Sequence, residues 1–396
     1  MPDAPLDTRP PDIRLTVPSL DEADFAAVRA VLESGFLVQG AQVEAFEAAV
    51  AEAAGTAHAV AVTNCTAALQ MALMALGIRP GDTVVVPAYS WLSTANVAEL
   101  CGARAVFVDI EPDTFCLDPD ALDATLARLF ATRESGRRVR AIVPVHAFGQ
   151  MADMARIGAA AAHYGVPVVE DAACALGATR DGRRAGSVGA LGCFSFHPRK
   201  DVTTGEGGAI TTDDAATADF LRALRNHGQQ RDAAGQARFV LAGFNTRMTE
   251  LQGALGVTQM TKLGRIVAAR RAGAARYDAL LAGSPVQAPL VPAGSEPVYQ
   301  SYIALLPDGA DRAAVVTDLR ADGIEATLGT YHMPLTDFFR AQGGYAPGDF
   351  PVADMVFRRA LALPLHEGLT EADQHRVAAS LLRAVEAPVP AEALAA

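Results

Sequence analysis

Lysine is nearly missing from this chain. Of 33 basic residues only two are lysine, Lys200 and Lys262, and arginine supplies the other 31. A chain that places arginine wherever a surface cation will serve keeps lysine where an amine is needed. Tryptophan occurs once, as Trp91, and aromatic residues make up only 6%. Positive charge is in deficit: 45 acidic residues leave a formal net charge of −12. That balance argues against nucleic acid or an anionic membrane surface as a partner. The five cysteines (Cys65, Cys101, Cys116, Cys174 and Cys193) are scattered, odd in number and without a C-x-x-C pair. Neither a disulfide framework nor a zinc site is expected from them. The eight histidines show no ligand spacing, so no metal is expected. No apolar run is long enough to cross a bilayer, and the polar, proline-rich start "MPDAPLDTRPPDIRLTVPSL" lacks the apolar stretch of an export signal. The expected compartment is the cytoplasm.

What is present is 396 residues, half of them apolar. That is too long for one simple core and implies two domains, or one large α/β domain with an appendage. "SLDEADFAAVRAVLESG" predicts an amphipathic helix with Ser19 as its cap and Gly35 as its stop, and "GAQVEAFEAAVAEAAG" a second. Strands and helices then alternate. "AHAVAVTN", "TVVVPAYS", "ARAVFVDI", "RAIVPVHAFG" and "VPVVEDAA" read as strands; "TAALQMALMALGI", "STANVAELCG" and "MADMARIGAAAAHYG" read as helices. Continuous Val/Ile runs separated by helices predict an α/β fold whose mostly parallel sheet is buried on both faces. After Leu251 a long helix rich in Ala and Arg leads to a smaller α+β region. The expected division is an extended segment over 1–20, a large domain over 21–255, and a small C-terminal domain over 256–390 that includes the long helix. The final "APVPAEALAA" reads as a frayed tail.

Four stretches carry chemistry. "VPVVEDAA" delivers Asp171 to the C-terminal end of a buried strand, the edge where α/β sheets bind ligands; taken singly, it could equally cap a helix. "TNCTAALQ" is a strand–turn–helix junction whose Asn64, Cys65 and Thr66 either cap the helix or offer N–H groups to a phosphate. "VPAYSWLSTAN" places Trp91 just past another strand end, where it could stack on an aromatic ring or pack in the core. "GCFSFHPRKDVTTGEGGAITTDD" holds Ser195, a candidate anion ligand, then Lys200, then Gly205, Gly207 and Gly208, which permit unusual backbone angles. An amine of lowered pKa near a cleft is what Schiff-base chemistry requires, and a guanidinium cannot replace it. A phosphate cradle, a stacking ring, a strand-end acid and a lysine are together the parts of a pyridoxal phosphate site.

The order of these motifs resembles the DegT/DnrJ/EryC1/StrS aminotransferases, sugar aminotransferases of pyridoxal phosphate fold type I. The likeness runs from "SGFLVQGAQVEAFEAAVAE" to "LALPLHEGLT" and is most specific in "VVEDAACALGA", the Lys200 stretch and "GFNTRMTELQGALG". It implies an aspartate aminotransferase-like fold and pyridoxal 5′-phosphate as cofactor, with pyridoxamine 5′-phosphate as its intermediate form. Lys200 falls on the lysine that bonds the cofactor and Asp171 on the partner of the ring nitrogen. Ser195, Cys65 and Thr66 fall on phosphate contacts, and Trp91 on the stacking ring. Asn245 falls on a residue that reaches the phosphate from a second subunit, so the resemblance implies a homodimer with shared sites. Cys174 stands beside the ring where many members carry Gln or His, and Cys65 stands where many carry Gly.

The reaction implied is transfer of an amino group from L-glutamate or L-glutamine to a keto-sugar, usually nucleotide-linked, for amino sugar biosynthesis. Candidate sugar contacts are Phe36, Tyr331 and His332, with His332 equally readable as a packing residue. Arg225, Asn226 and His227 in "LRNHG" read either as site residues or as a helix C-terminal cap, and His146 sits at another strand end. A same-fold lyase, or an aminotransferase acting on a cyclic ketone or aminocyclitol, is the alternative. The sugar-dehydratase branch replaces the bonding lysine with His, against Lys200 here. A non-catalytic sensor would have no reason to keep Lys200, Asp171 and Ser195 together.

Overall fold

The computed structural model describes residues 12–386. The expected tail, 387–396, and the first part of the expected N-terminal segment lie outside the described residues.

The main sheet is built from β1 (His58–Val62), β2 (Thr83–Pro87), β3 (Arg104–Val108), β4 (Val139–Ile142), β5 (Val169–Asp171), β6 (Leu191–Ser195) and β7 (Gly208–Thr212). Their spatial order is β3-β2-β4-β5-β6-β7-β1, with single parallel bridges, Ile142 to Val168 and Val145 to Asp171, joining β4 to β5. All neighbours are parallel except where β7 meets β6 and β1. The strands are apolar and almost wholly buried, as their Val/Ile runs predict.

Helices α1 (Glu22–Ser34), α2 (Ala41–Ala54), α3 (Cys65–Ala75), α4 (Ser93–Leu100), α5 (Pro119–Phe130), α6 (Met154–Tyr164) and α7 (Ala215–Leu224) surround or connect these strands. The cap of α1 is Asp21 rather than Ser19, in a capping box with Asp24, and Gly35 closes the helix in the left-handed region at φ 72. α5 and α7 were not apparent from apolar periodicity, although each has an Asp cap, Asp118 and Asp214.

The long helix is α8 (Glu250–Leu281). It packs on α2 so closely that a Cβ at Gly256 would lie 2.5 Å from the Phe46 ring, and one at Gly253 2.7 Å from the Val43 amide. Small residues one turn apart therefore let Val43, Phe46 and Val50 bury fully, each contributing about 2 kcal/mol. At the start of α8 the Glu250 carboxylate caps α2, accepting from Gly40, Gln42 and Val43 N–H at 2.7, 2.9 and 3.0 Å. Lys262, the other lysine, is buried in α8 with its Nζ 2.5 Å from Asp24 and 2.7 Å from Asp21. Its role is to tie α1 to α8.

Past α8 stand α9 (Arg312–Ala321), α10 (Glu371–Glu386) and a small antiparallel sheet of β8 (Tyr302–Leu305), β9 (Thr327–Leu328) and β10 (Ala360–Leu363), ordered β8-β10-β9. These elements enclose a second apolar core with Tyr277, Leu319 and Leu381 at its centre. Ile13, in the segment expected to stand apart, bridges to Ile324 and is buried in this second core. In the other direction, Met333, Phe339, Ala353 and Val356 belong to the first core. Phe107 receives Phe339 and Tyr345 edge-on at 5.0 and 5.4 Å, and the pair Tyr331–His332 bridges to Tyr89–Ser90. α8 crosses from one core to the other without a break, so no linker separates them.

Candidate active site

The carboxyl ends of β1, β5 and β6 and the start of β7 meet along one edge of the sheet. Between β1 and α3 the chain turns at Asn64, whose Oδ1 caps α3 by accepting from Ala67 N–H at 2.9 Å. Among the described residues the Cys65 and Thr66 N–H groups donate to no acceptor, so they remain available to an anion. β7 runs close by: a Cβ at Gly208 would lie 2.4 Å from the Asn64 carbonyl carbon and 2.7 Å from the Cys65 amide. Only glycine lets the strand and the turn approach so nearly. The Thr66 hydroxyl pairs with the Ser93 hydroxyl at 2.8 Å, which brings the starts of α3 and α4 together.

Asp171 ends β5 with 4% of its surface exposed. Its Oδ2 accepts from the Thr94 hydroxyl at 2.7 Å and its Oδ1 from Ala173 N–H at 3.2 Å. Burial pushes the carboxyl above its ordinary value; the bonds from Thr94 and Ala173, and the positive charge of Lys200, offset this only partly. A carboxyl in this state gains most from a cationic N–H partner. Beneath it, His146 is fully buried and sits 2.7 Å from Glu170 Oε2, while its Nδ1 accepts from Ala152 N–H at 3.2 Å. The proton therefore resides on Nε2 and points at Glu170. Glu170 also accepts from Gly186, Val188 and Gly189 N–H. Burial would raise this carboxyl, but His146 and the glycine N–H groups hold it below its ordinary value. The pair braces the strand that carries Asp171.

Lys200 lies in the turn that follows β6, its N–H bonded to His197 O at 2.8 Å. Its Nζ is 3.1 Å from Cys174 Sγ. Burial works against the ammonium, yet the Cys174 sulfur, then the Asp171 carboxyl, outweigh it and hold the amine above its ordinary value. Schiff-base chemistry calls for a lowered value; in this chain the cation-stabilising surroundings win. Cys65 itself is pushed well up, chiefly by burial and then by Asp171, and stays a neutral thiol. Ser195 ends β6 on the same edge, its Oγ within 3.5 Å of His197 N–H.

The structure thus gathers Lys200, Asp171, Cys174 and Cys65 around one spot, with the Thr66 turn next to Asp171's partner helix. Trp91 stands just before α4 with 62% of its surface exposed and meets Tyr331 edge-on at 5.6 Å. His332, the other half of the bridge to Tyr89–Ser90, turns inward: it is buried against Asp354 at 3.2 Å and between Phe350 and Phe357. That is packing, not a substrate contact. Phe36 is 81% exposed in the loop after α1, and Asn245 is exposed beside Asn226, to which its backbone bridges. Among the described residues neither hydrogen-bonds to Lys200 or Asp171. "LRNHG" is structural: Arg225 is buried against Glu47 and donates to Ala61 O at 2.7 Å, Gly228 N–H closes α7 on Ala223 O, and Asn226 accepts from Arg247 at 2.6 Å. Thr94 and Ser93 were missed because nothing in "STAN" marks one hydroxyl from another; only the fold brings them across to Asp171 and Thr66.

The donor set fits a flat cofactor with a phosphate at one end and a basic ring nitrogen at the other. Open amides, two hydroxyls and the Gly208 approach can hold an anion. A buried carboxyl short of a cation can hold a protonated ring, and an amine stands between them.

Comparison with known proteins agrees. Residues 18–382 match the model of the DegT/DnrJ/EryC1/StrS aminotransferase family. A GDP-perosamine synthase of Caulobacter vibrioides is 38% identical over 376 residues, covering 94% of this chain and 98% of that protein. Among solved structures, the aminotransferase TlmJ from Streptoalloteichus hindustanus superposes with a TM-score of 0.86 at 31% identity, covering 97% of this chain and 100% of that one. The PMP-form of Spr1654 from Streptococcus pneumoniae superposes with a TM-score of 0.87 at 26% identity, covering 95% and 99%.

Proposed function

The chain belongs to the DegT/DnrJ/EryC1/StrS aminotransferase family and is a pyridoxal phosphate-dependent aminotransferase; within that class we propose that it moves an amino group from L-glutamate or L-glutamine to a nucleotide-linked keto-sugar. The observation that carries the site is the buried Asp171 carboxyl, short of a cation, beside the Lys200 amine. The observation that favours a nucleotide-linked sugar is the near full-length identity to a protein named for a GDP-sugar.

Bound here, pyridoxal phosphate supplies an aldehyde for the donor's amine and a ring that accepts electrons from the neighbouring carbon. In our reading Asp171 keeps the ring nitrogen protonated, and Thr94 and Ala173 keep Asp171 aimed. The Cys65 and Thr66 amides, the Thr66 hydroxyl and Ser195 hold the phosphate. Trp91 covers the ring face, with Tyr331 at its edge, and Cys174 lies beside the ring. Lys200 would hold the cofactor through its amine, and its Nζ, when free, would take up and return the proton of the donor α-carbon. Two substrates use one site in turn, so parallel initial-velocity lines are expected.

We also infer a cytoplasmic homodimer. Phe36, Leu37 and Val38 are exposed, and Val38 bridges to Thr249 in the segment that carries Asn245. Exposed Phe239 and Val240 follow in the hairpin nearby in sequence. So much apolar surface beside a residue that reaches no site of its own suits a second copy of the chain. For the domains we infer a cofactor-binding part over 21–255 and a small part over 256–390; the second apolar core around Tyr277, Leu319 and Leu381 supports the small part, while Met333, Phe339, Ala353 and Val356 lean on the first core.

The test follows the colour of the cofactor. Cofactor-loaded protein should bleach with L-glutamate or L-glutamine, and a GDP-, UDP- or dTDP-linked keto-sugar should restore it. Bleaching without recovery by any of the three would overturn the substrate assignment and leave the class intact.

A further inference from the structure

The turn that carries Lys200 is held from outside on both of its flanks. On one side the Gln300 side chain donates to Arg199 O at 2.8 Å. On the other, the Asp201 carboxylate lies 2.9 Å from Arg270 Nε, both side chains 3% exposed. Arg270 stands in the middle of α8, and its Nη1 reaches three carbonyls: Tyr299 at 3.2 Å, Gln300 at 2.9 Å and Leu365 at 2.9 Å. Tyr299 is held in the left-handed region at φ 51, where a bulky residue sits only if its surroundings impose it. Farther along the turn, Gln259, also on α8, accepts from Thr203 N–H at 3.3 Å.

One guanidinium therefore joins four stretches: the residue after Lys200, the approach to β8 that carries Gln300, the exit from β10 at Leu365, and α8 itself. A fold-stabilising staple could be placed anywhere. Here two of the contacts fall on the two residues that flank Lys200: Gln300 on Arg199 and Arg270 on Asp201. The choice of arginine suits this, since its planar fork spans a carboxylate and several carbonyls at once and stays charged when buried. Burial pushes Asp201 up to about 6 even with Arg270 and Lys200 pulling it down, so the carboxylate is kept at some cost.

We propose that Arg270 is a positioning residue for the Lys200 amine: through Asp201 directly, and through the Tyr299–Gln300 backbone that presents Gln300 to Arg199, it fixes the entry and exit of the Lys200 turn. The inference rests on the reading of Lys200 as the residue that bonds the cofactor. It also makes the small core, through Leu365 and Gln300, part of what aims the amine.

The test uses full-length, cofactor-free protein carrying Asp201→Asn, Gln300→Leu or Arg270→Lys. Two quantities are compared. The first is affinity for 4′-deoxypyridoxine phosphate, which has the ring and phosphate but no aldehyde. The second is the rate at which pyridoxal phosphate is captured: the Lys200 amine adds to the aldehyde carbon, water leaves, and borohydride then fixes the product for mass analysis of the Lys200 peptide. Analogue affinity should stay within about twofold. Capture should slow about tenfold or more for Asp201→Asn and Arg270→Lys, and less for Gln300→Leu, as expected of a displaced nucleophile. Capture at the parent rate in Asp201→Asn and Gln300→Leu would overturn the proposal, as would an equal loss of both quantities. Should Arg270→Lys fail to fold, the other two variants, which leave α8 intact, decide the matter. Label on a residue other than Lys200 in the parent protein would instead overturn the assignment of Lys200.

Discussion

Thr94 donates its hydroxyl to Asp171 Oδ2 at 2.7 Å, from the first turn of α4 to the end of β5. The bond joins residues 77 positions apart and involves a buried carboxyl that, among the described residues, has one other close donor, Ala173 N–H. Thr94→Val keeps the shape and removes the donor. Leaving a buried acceptor short of a partner costs roughly 1–3 kcal/mol, and the carboxyl should rise further. We expect turnover to fall about tenfold to a hundredfold with the fold preserved. Unchanged turnover, measured as oxo-acid release from the donor, would remove Thr94 from the site.

Lys200→Arg retains a cation of similar reach and loses the amine that can give up a proton. Turnover should fall by roughly a thousandfold or more, with thermal stability little changed. Borohydride should then fix no cofactor to the protein. A variant that still turns over appreciably would show that the chemistry belongs to another group.

Asp171 gives a pH signature in the cofactor-free protein. Its folded value lies above its ordinary one because of burial. The stability linked to this group is therefore fully present below the ordinary carboxylate range and is lost as pH rises through the folded value. Asp171→Asn escapes that loss. It should melt higher than the parent near neutrality, with the gap closing on acidification, and yet be inactive. A variant that melts lower at neutral pH would contradict the direction assigned to Asp171.

Cys174 raises the Lys200 amine through its sulfur at 3.1 Å, against the pull of burial. Removing it in Cys174→Ala leaves burial less opposed, so the amine should titrate at lower pH. With two lysines in the chain, reductive methylation with labelled formaldehyde gives at most two side-chain signals to assign and follow. A Lys200 signal that titrates as before would mean that Asp171 suffices.

The apolar rim of Phe36, Val38, Phe239 and Val240 predicts self-association. The parent protein should sediment as a dimer at micromolar concentration, and Phe36→Asp with Phe239→Asp should shift it toward monomer with loss of activity. A parent that sediments as a monomer while turning over would dispose of the shared-site reading.

Much of this was legible because the informative residues lie in continuous stretches. Val/Ile runs gave the buried strands, Asp171 marked the end of one of them, and Lys200 stood out as an amine in an arginine-rich chain. What stayed hidden depends on distance in sequence. Thr94 and Asp171, or Asp201 and Arg270, are ordinary residues until folding brings them together. His332 could be read as a contact or as packing because a two-residue strand sends neighbours to opposite sides, and only the partner strand decides which side is inside. The direction of the Lys200 shift was not legible, because Cys174 and Asp171 surround the amine only in the fold. Ser19 lost the cap of α1 to Asp21 because Asp24 completes a capping box three residues on.

The unbroken course of α8 through both cores bears on how the chain is made. During synthesis the first 249 residues emerge before α8 exists for α1 and α2 to rest on. Asp24 waits for Lys262, and the α2 N-terminus waits for Glu250. Ile13 waits longer still, until Ile324 has left the ribosome. The nascent large half therefore remains unfinished, with apolar helix faces uncovered, until the small half has been translated. A ribosome stalled near the end of the large half would hold out a chain for chaperones to bind rather than a completed domain.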